Sequence, residues 1–121
     1  MSAIIKLNEA KDILEHLLNK MIQKIIINYD FCRIHIVLKD GIEIFIVYNN
    51  YHEYSYSVLF SKLELDRCRF DNRDNVWDVS SRPHHFHPRK KKSAILTKMV
   101  VNPKMNMPYL CDLLKSSELS I

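Results

Sequence analysis

Glycine is almost absent from this 121-residue chain, which contains one glycine, Gly41, and four prolines. Glycine-rich phosphate loops and the Gly-x-Ser-x-Gly turn of α/β-hydrolases need more glycine than that, and a His-Glu-x-x-His zinc motif is missing as well. The sequence therefore gives no support to P-loop nucleotide hydrolysis, α/β-hydrolase chemistry or zincin chemistry.

Cysteine and long apolar runs are also scarce. The three cysteines, Cys32, Cys68 and Cys111, are far apart in the sequence, which excludes a Cys-x-x-Cys zinc site and gives no disulfide framework. A reducing, cytoplasmic location follows as an expectation. The longest apolar run, residues 44–48, is the length of a strand, and residues 1–9 lack the basic flank and apolar stretch of a signal peptide. Neither a membrane span nor a signal peptide is predicted.

The composition predicts a folded core in one domain over residues 1–121. The chain is 47% hydrophobic and 26% charged, far from the composition of disordered segments. Its net charge of +4 is unevenly distributed, because residues 82–111 contain seven Lys or Arg and no Asp or Glu. Such a segment is typical of a surface that meets phosphates or an acidic partner, although a solvated basic loop has the same composition.

Hydrophobic periodicity predicts an α+β fold. Apolar residues at three- and four-residue spacing predict a helix over 9–20 with Asn8 as its N-cap. Alternation predicts a hairpin turning at Asp40-Gly41, then strands near 53–60, 64–70 and 93–101, and a last helix over 107–116. We expect an antiparallel meander sheet of four to five strands between the two helices, with the C-terminal helix packed on one face.

Three of the six histidines fall within four positions, in Pro83-His84-His85-Phe86-His87-Pro88. The two prolines favour an extended loop or an edge strand, in which His85 and His87 point the same way and His84 points the opposite way. Paired imidazoles suit metal-independent RNA cleavage, because one can take the proton of the ribose 2′-hydroxyl while another protonates the departing 5′ oxygen. His85 and His87 are the predicted acid and base.

The neighbouring residues fit supporting roles. His84 is predicted to assist the acid and base, Arg69 to contact the scissile phosphate, and Asp71 to hold a histidine in one tautomer. Together with His85 and His87, these residues are the five of the predicted catalytic set. The remaining candidates for binding substrate are aromatic, amide and basic side chains: Tyr54, Tyr56, Asn72, Arg82, Arg89, Lys90, Lys91 and Lys92. For the two tyrosines, core packing with hydroxyl tips that reach water is the favoured reading, because tyrosines at positions i and i+2 more often pack in a core.

Two other readings stay open at this point. His-x-His segments also bind transition metals, so a metal at His84, His85 and His87, with Asp71 nearby, would make a metal-dependent nuclease or hydrolase. A non-catalytic module that binds RNA or protein would show the same basic segment. The leading hypothesis needs no cofactor.

The ordered motifs Tyr54-Ser55-Tyr56, Arg69-Phe70-Asp71-Asn72 and Pro83-His84-His85-Phe86-His87 resemble the TumE family of small toxins from prokaryotic toxin–antitoxin operons. The family pattern runs Tyr-Ser-Tyr, Arg-Tyr/Phe-Asp-Asn and Pro-His-His-x-His. Many members carry another histidine pair after the Asp-Asn, where this chain has residues 73–77 without histidine.

The resemblance implies a cytoplasmic growth inhibitor that acts on RNA and is held by a cognate helix-turn-helix antitoxin. Its shared polar residues fall on Tyr54, Tyr56, Arg69, Asp71, Asn72, His84, His85 and His87. We therefore expect a toxin that is a metal-independent endoribonuclease with no membrane partner. The resemblance leaves open whether it forms a homodimer.

Overall fold

The computed structural model describes residues 2–120, with side chains for 2–119. The first helix, α1, spans Ala3–Leu17, and the Ser2 side chain caps it by accepting a hydrogen bond from the Ile5 N–H. The predicted cap at Asn8 is wrong, because the buried stripe of the helix extends back through Leu7 to Ala3. No helix in the described part of the chain is long and apolar enough to cross a membrane.

A meander sheet follows α1, and each strand pairs antiparallel with the next. Within the described residues it has six strands rather than four to five: β1 (Ile22–Asn28), β2 (Arg33–Leu38), β3 (Glu43–Tyr48), β4 (Tyr54–Leu59), β5 (Arg67–Asp71) and β6 (His85–His87). The predicted hairpin is confirmed as β2 and β3. Two strands were not counted in the prediction: β1, whose Ile25-Ile26-Ile27 run conceals the alternation, and β6, which lies in the histidine segment expected to be an extended loop or an edge strand.

The sequence after β6 differs from the prediction. Residues 93–101 do not form a strand, and only Ile95 pairs with Phe86, through backbone hydrogen bonds of 2.8 and 2.9 Å. The last helix, α2, spans Pro103–Ser116 and therefore begins before the predicted residue 107. Asn102 and Pro103 start the helix, since the Asn102 side chain accepts from the Lys104 N–H and proline is tolerated at the first helical position.

The two faces of the sheet have different roles. One face, the inner face, carries the alternating buried residues of β2 to β5 and packs beneath the two helices, and the helices also contact each other. Asn106 of α2 donates a hydrogen bond to the Tyr56 hydroxyl of β4 over 2.8 Å, which joins α2 to the sheet. The alternate residues of β4, β5 and β6 lie on the opposite, outer face, including Ser55, Arg69 and His87. The α+β arrangement with helices on one face is confirmed.

Candidate functional site

The register between β5 and β6 assembles the site on the outer face. Asp71 pairs with His85, and Arg69 pairs with His87, across neighbouring antiparallel strands. Residues directly opposite each other in such a pair have side chains on the same face and in reach of one another. The structure therefore brings together Arg69, Asp71, His85 and His87, four of the five residues predicted to be catalytic.

Asp71 and His85 form a buried pair beneath the surface of this site. His85 is 1% exposed and Asp71 2% exposed. The His85 Nδ1–H donates to the Pro83 carbonyl oxygen over 2.9 Å, which orients the ring. Its Nε2 lies 3.0 Å from Asp71 Oδ1, close enough for an ion pair but outside hydrogen-bond geometry. The contact is attractive only when the imidazole or the carboxyl carries a proton there.

Arg69 holds the other oxygen of the same carboxylate. The Arg69 Nε donates to Asp71 Oδ2 over 2.6 Å, and the backbone N–H of Arg73 donates to Asp71 Oδ1 over 3.2 Å. Nearly half of the Arg69 side chain stays exposed to solvent. Asp71 therefore fixes Arg69 and faces His85, but the hydrogen bond that orients the His85 ring goes to the Pro83 carbonyl rather than to Asp71.

His87 is the more accessible imidazole. It is half-buried, and its ring centroid lies 4.8 Å from that of His85 at a nearly perpendicular angle. Burial lowers the pKa of His87 below its usual 6.5, and the nearby Arg69 and His85 lower it further, whereas Asp71 and a backbone hydrogen bond at Ser93 oppose the shift. His87 is therefore neutral at pH 7 and able to accept a proton.

Trp77 covers both imidazoles from the loop between β5 and β6. Its ring centroid is 5.0 Å from that of His87 and 5.9 Å from that of His85. Beside it lies an open cleft of about 310 Å³, lined by Leu65, Arg67, Cys68, Arg69, Trp77, His87, Pro88, Lys91 and Lys92. Two arginines and two lysines thus surround the exposed side of His87 and suit an anionic ligand.

His84 does not join this cluster. Its Nδ1 lies 2.9 Å from the Tyr54 hydroxyl, and its ring stacks on the tyrosine with centroids 5.7 Å apart. The predicted opposite orientation of His84 is therefore confirmed. The alternative metal set of three histidines is not assembled, whereas Asp71, His85 and His87 have ligand atoms within 4.8 Å of one another.

The predicted tyrosines and Asn72 lie in the interior. Tyr54 and Tyr56 are fully buried on the inner face, and the Tyr56 hydroxyl pairs with the Tyr48 hydroxyl over 2.8 Å. Asn72 accepts from the Tyr54 N–H over 2.8 Å and donates to the His52 carbonyl over 3.0 Å, which ties β5 to the turn before β4. The structure places these three residues away from the cleft, with their polar atoms already bonded.

The basic residues divide into two groups. Lys91 and Lys92 line the cleft, while Lys90 and Arg82 are exposed outside its lining. The Arg89 Nε donates to Asp66 Oδ1 over 2.5 Å, and its guanidinium lies 4.3 Å from the Phe60 ring centroid. Arg89 therefore also joins β6 to the turn before β5.

Arg67 and Trp77 are site residues that sequence reasoning did not assign. Arg67 is two positions from Arg69 on one strand, so alternation was a usable signal for a shared face. The sequence shows Trp77 only as an aromatic anchor in a polar loop, because its contacts with the histidines arise from the tertiary structure. Cys68, on the cleft lining, is un-ionised at neutral pH because burial raises the pKa of its thiol to about 12.

Comparison with known families gives a match that spans the site. The family model described as Toxin TumE matches residues 14–108, which include β5, β6 and the loop between them. No curated protein and no solved structure matches the chain. Because the match covers well over half of the sequence, this chain belongs to the TumE toxin family.

Proposed function

We propose that this chain exerts its toxicity by cleaving RNA, with His87 accepting the proton of the ribose 2′-hydroxyl. The toxin role itself follows from the family. The observation that carries the proposal is the β5–β6 register, which sets Arg69 opposite His87 and Asp71 opposite His85 beside a cationic cleft. A base, a second imidazole and positive charge are the groups that this reaction needs.

The proposed reaction is a transfer within the RNA strand. His87 takes the 2′ proton, the 2′ oxygen bonds to phosphorus, and the bond from phosphorus to the 5′ oxygen breaks. The 5′ oxygen leaves with a proton donated by His85, whose ring contacts that of His87 and whose Nε2 lies 3.0 Å from Asp71 Oδ1. The products are a 2′,3′-cyclic phosphate and a 5′-hydroxyl.

Arg69 and the cleft lysines complete the scheme. The Arg69 guanidinium, fixed by Asp71, neutralises charge that develops on the phosphate. Lys91 and Lys92 are placed to contact neighbouring phosphates of the strand. RNA is the favoured substrate over DNA, because the 2′-hydroxyl is the nucleophile.

The test compares two RNA oligonucleotides that differ only by a 2′-deoxy substitution at the mapped cleavage site. We expect cleavage of the all-ribose strand alone, ends with cyclic phosphate and 5′-hydroxyl, and a rate unaffected by EDTA. His87→Ala should lower the rate about 100-fold or more, the scale of general acid–base catalysis. His16→Ala is the matched control, since His16 is an exposed histidine on α1.

The result also decides between the alternatives. If EDTA abolishes cleavage and the strand with the 2′-deoxy substitution is still cut, metal-dependent hydrolysis at Asp71, His85 and His87 would replace the proposal. RNA that binds but stays intact in every condition, with ribosomes and without, would leave a binding module.

The partner of this toxin is an antitoxin, as the family implies in general. We propose that this antitoxin is a helix-turn-helix protein encoded beside this chain, and that the toxin acts in the cytoplasm. Co-expression should restore growth and yield a stable complex on copurification. Sedimentation of the purified toxin gives its mass in solution and so shows whether it forms a homodimer.

A further inference from the structure

Three orphaned polar atoms lie together at the site. Among the described residues, four buried side-chain nitrogen or oxygen atoms have no hydrogen-bond partner, and three of them are Trp77 Nε1, His85 Nε2 and His87 Nε2. The three rings contact one another, with centroids 4.8 to 5.9 Å apart. Buried polar groups are nearly always paired in native proteins. A cluster of orphaned atoms in mutually packed rings therefore marks a place where a ligand supplies the missing bonds.

The chemistry of the indole selects the kind of ligand. An indole N–H can only donate, so its partner must offer an acceptor atom. An imidazole nitrogen accepts or donates according to its proton, so it can pair with an oxygen or with a hydroxyl. A ligand that carries several acceptor oxygens, some of them protonated or beside a hydroxyl, offers the partner atoms that these nitrogens lack.

The surrounding charge selects an anion over a cation. Arg69 lies directly across from His87, and Arg67, Lys91 and Lys92 line the adjoining cleft. The Asp71 carboxylate is the negative group in contact with the cluster: its Oδ1 lies 3.0 Å from His85 Nε2, and its Oδ2 accepts from Arg69. A metal ion would pair with the imidazoles but leave the indole N–H without a partner and lie next to these cations.

We propose that Trp77 forms, together with His85 and His87, a binding site for a phosphoryl group, in which the indole N–H donates to a non-bridging phosphate oxygen. The inference rests on the proposed function only where it identifies that group as the scissile phosphate of RNA. Trp77 thus contacts the substrate directly as well as packing on the histidines.

The experiment uses the single tryptophan of the chain, whose indole gives one resonance in a ¹H–¹⁵N spectrum of the full-length protein. Inorganic phosphate is titrated at constant ionic strength with chloride as the reference anion. We expect a saturable downfield shift of the indole proton with phosphate and none with chloride.

Two variants test the hydrogen bond by calorimetry. Trp77→Phe keeps an aromatic ring but removes the N–H, and should weaken phosphate binding about ten-fold, the scale of one hydrogen bond to a charged group. Val76→Ala is the matched control, because Val76 is the exposed neighbour of Trp77 in the same loop. Circular dichroism verifies that each variant folds, and if Trp77→Phe does not fold, the wild-type indole resonance decides.

Each outcome points one way. An unmoved indole resonance, or phosphate binding as tight in Trp77→Phe as in the wild type, overturns the inference. Zinc chloride alone shifting the indole and imidazole resonances, where phosphate does not, would make the cluster a metal site. If RNA is cleaved but phosphate does not bind at Trp77, this inference is wrong and the proposed function stands. If phosphate binds at Trp77 but RNA is not cleaved, this inference stands and the proposed function is wrong.

Discussion

At the scale of single residues, two histidines two positions apart have different environments. His85 is buried and its Nδ1 is fixed by the Pro83 carbonyl, whereas His87 reaches the cleft. Side chains at positions i and i+2 of a strand share a face, but burial depends on what covers each one. Here the two rings have unequal access to the cleft, and for this reason the proposed mechanism assigns the 2′-hydroxyl proton to His87.

The acidic limb of the pH–rate profile should report His87. A base works only when unprotonated, and burial followed by the charges of Arg69 and His85 lowers the pKa of His87 below 6.5, against the opposing effects of Asp71 and the backbone at Ser93. The cleavage rate should therefore rise with pH through a midpoint below 6.5. Single-turnover rates and an NMR titration of the His87 ring measure this midpoint.

The Arg69→Gln variant tests whether the Arg69 charge sets the midpoint of the pH–rate profile. Removing the guanidinium removes a charge that disfavours the imidazolium, so the midpoint should move to higher pH even though the maximal rate falls. A midpoint that stays in place in both measurements would contradict the role of Arg69 in setting the proton affinity of His87.

At the scale of elements, the two faces of β4 have different surroundings. Its tyrosines face the helices, where the Tyr56 hydroxyl accepts from Asn106 and pairs with Tyr48, while Ser55 and Ser57 face outward beside β5. Burial raises the pKa of all three tyrosines involved, Tyr48, Tyr54 and Tyr56, so their hydroxyls remain protonated. The hydroxyls therefore serve as hydrogen-bond partners in the core.

Tyr56→Phe should destabilise the fold without affecting the site. Losing the hydroxyl leaves Tyr48 without its partner and costs Asn106 one of its hydrogen bonds, so the free energy of unfolding should fall by about 1–3 kcal/mol. Urea denaturation measures the loss, and the rate of RNA cleavage by the folded protein should not change. Tyr51→Phe is the control, because Tyr51 is 83% exposed. Slower cleavage at unchanged stability would instead restore Tyr56 to the substrate-binding residues.

The short-range sequence pattern was sufficient to predict most of the helices and strands. Alternation predicted β2 to β5, and the helical spacing predicted α1 and α2, although both helices begin earlier than expected. β1 was not predicted as a strand of its own, because three consecutive isoleucines show no alternation of apolar and polar residues. Residues 93–101 alternate weakly but meet β6 at Ile95 alone, since strand pairing depends on a partner that the local sequence does not contain.

At the scale of the whole molecule, charge is concentrated where the sheet ends. Arg67 from β5 lines the same cleft as Lys91 and Lys92 from the segment after β6, although they are 24 and 25 positions away in the sequence. A cluster of cations binds the phosphates of a nucleic acid and releases counterions, so binding weakens as salt rises. Affinity for RNA should therefore be salt-dependent in proportion to the phosphate contacts made.

The double variant Arg67→Gln/Lys92→Gln tests this surface. For single strands each phosphate contact contributes about 0.7 to the slope of log K against log salt, so removing two contacts should reduce the slope by about 1.4. Lys20→Gln/Lys115→Gln removes the same charge from exposed positions outside the cleft lining and should leave the slope almost unchanged. Equal slopes for the two variants would mean that net charge, rather than the cleft, holds RNA.

The sequence by itself determined the α+β class, the hairpin, the pairing of His85 with His87 on one side and the resemblance that the family match confirmed. These depend on neighbours within a few residues, whose spacing is visible along the chain. Only the tertiary structure decided that Asp71 meets His85 and Arg69 meets His87, because the register of β5 against β6 follows from the whole meander. It also decided that Trp77 covers the imidazoles and that the tyrosines face the core, since burial and loop contacts arise when distant segments pack together.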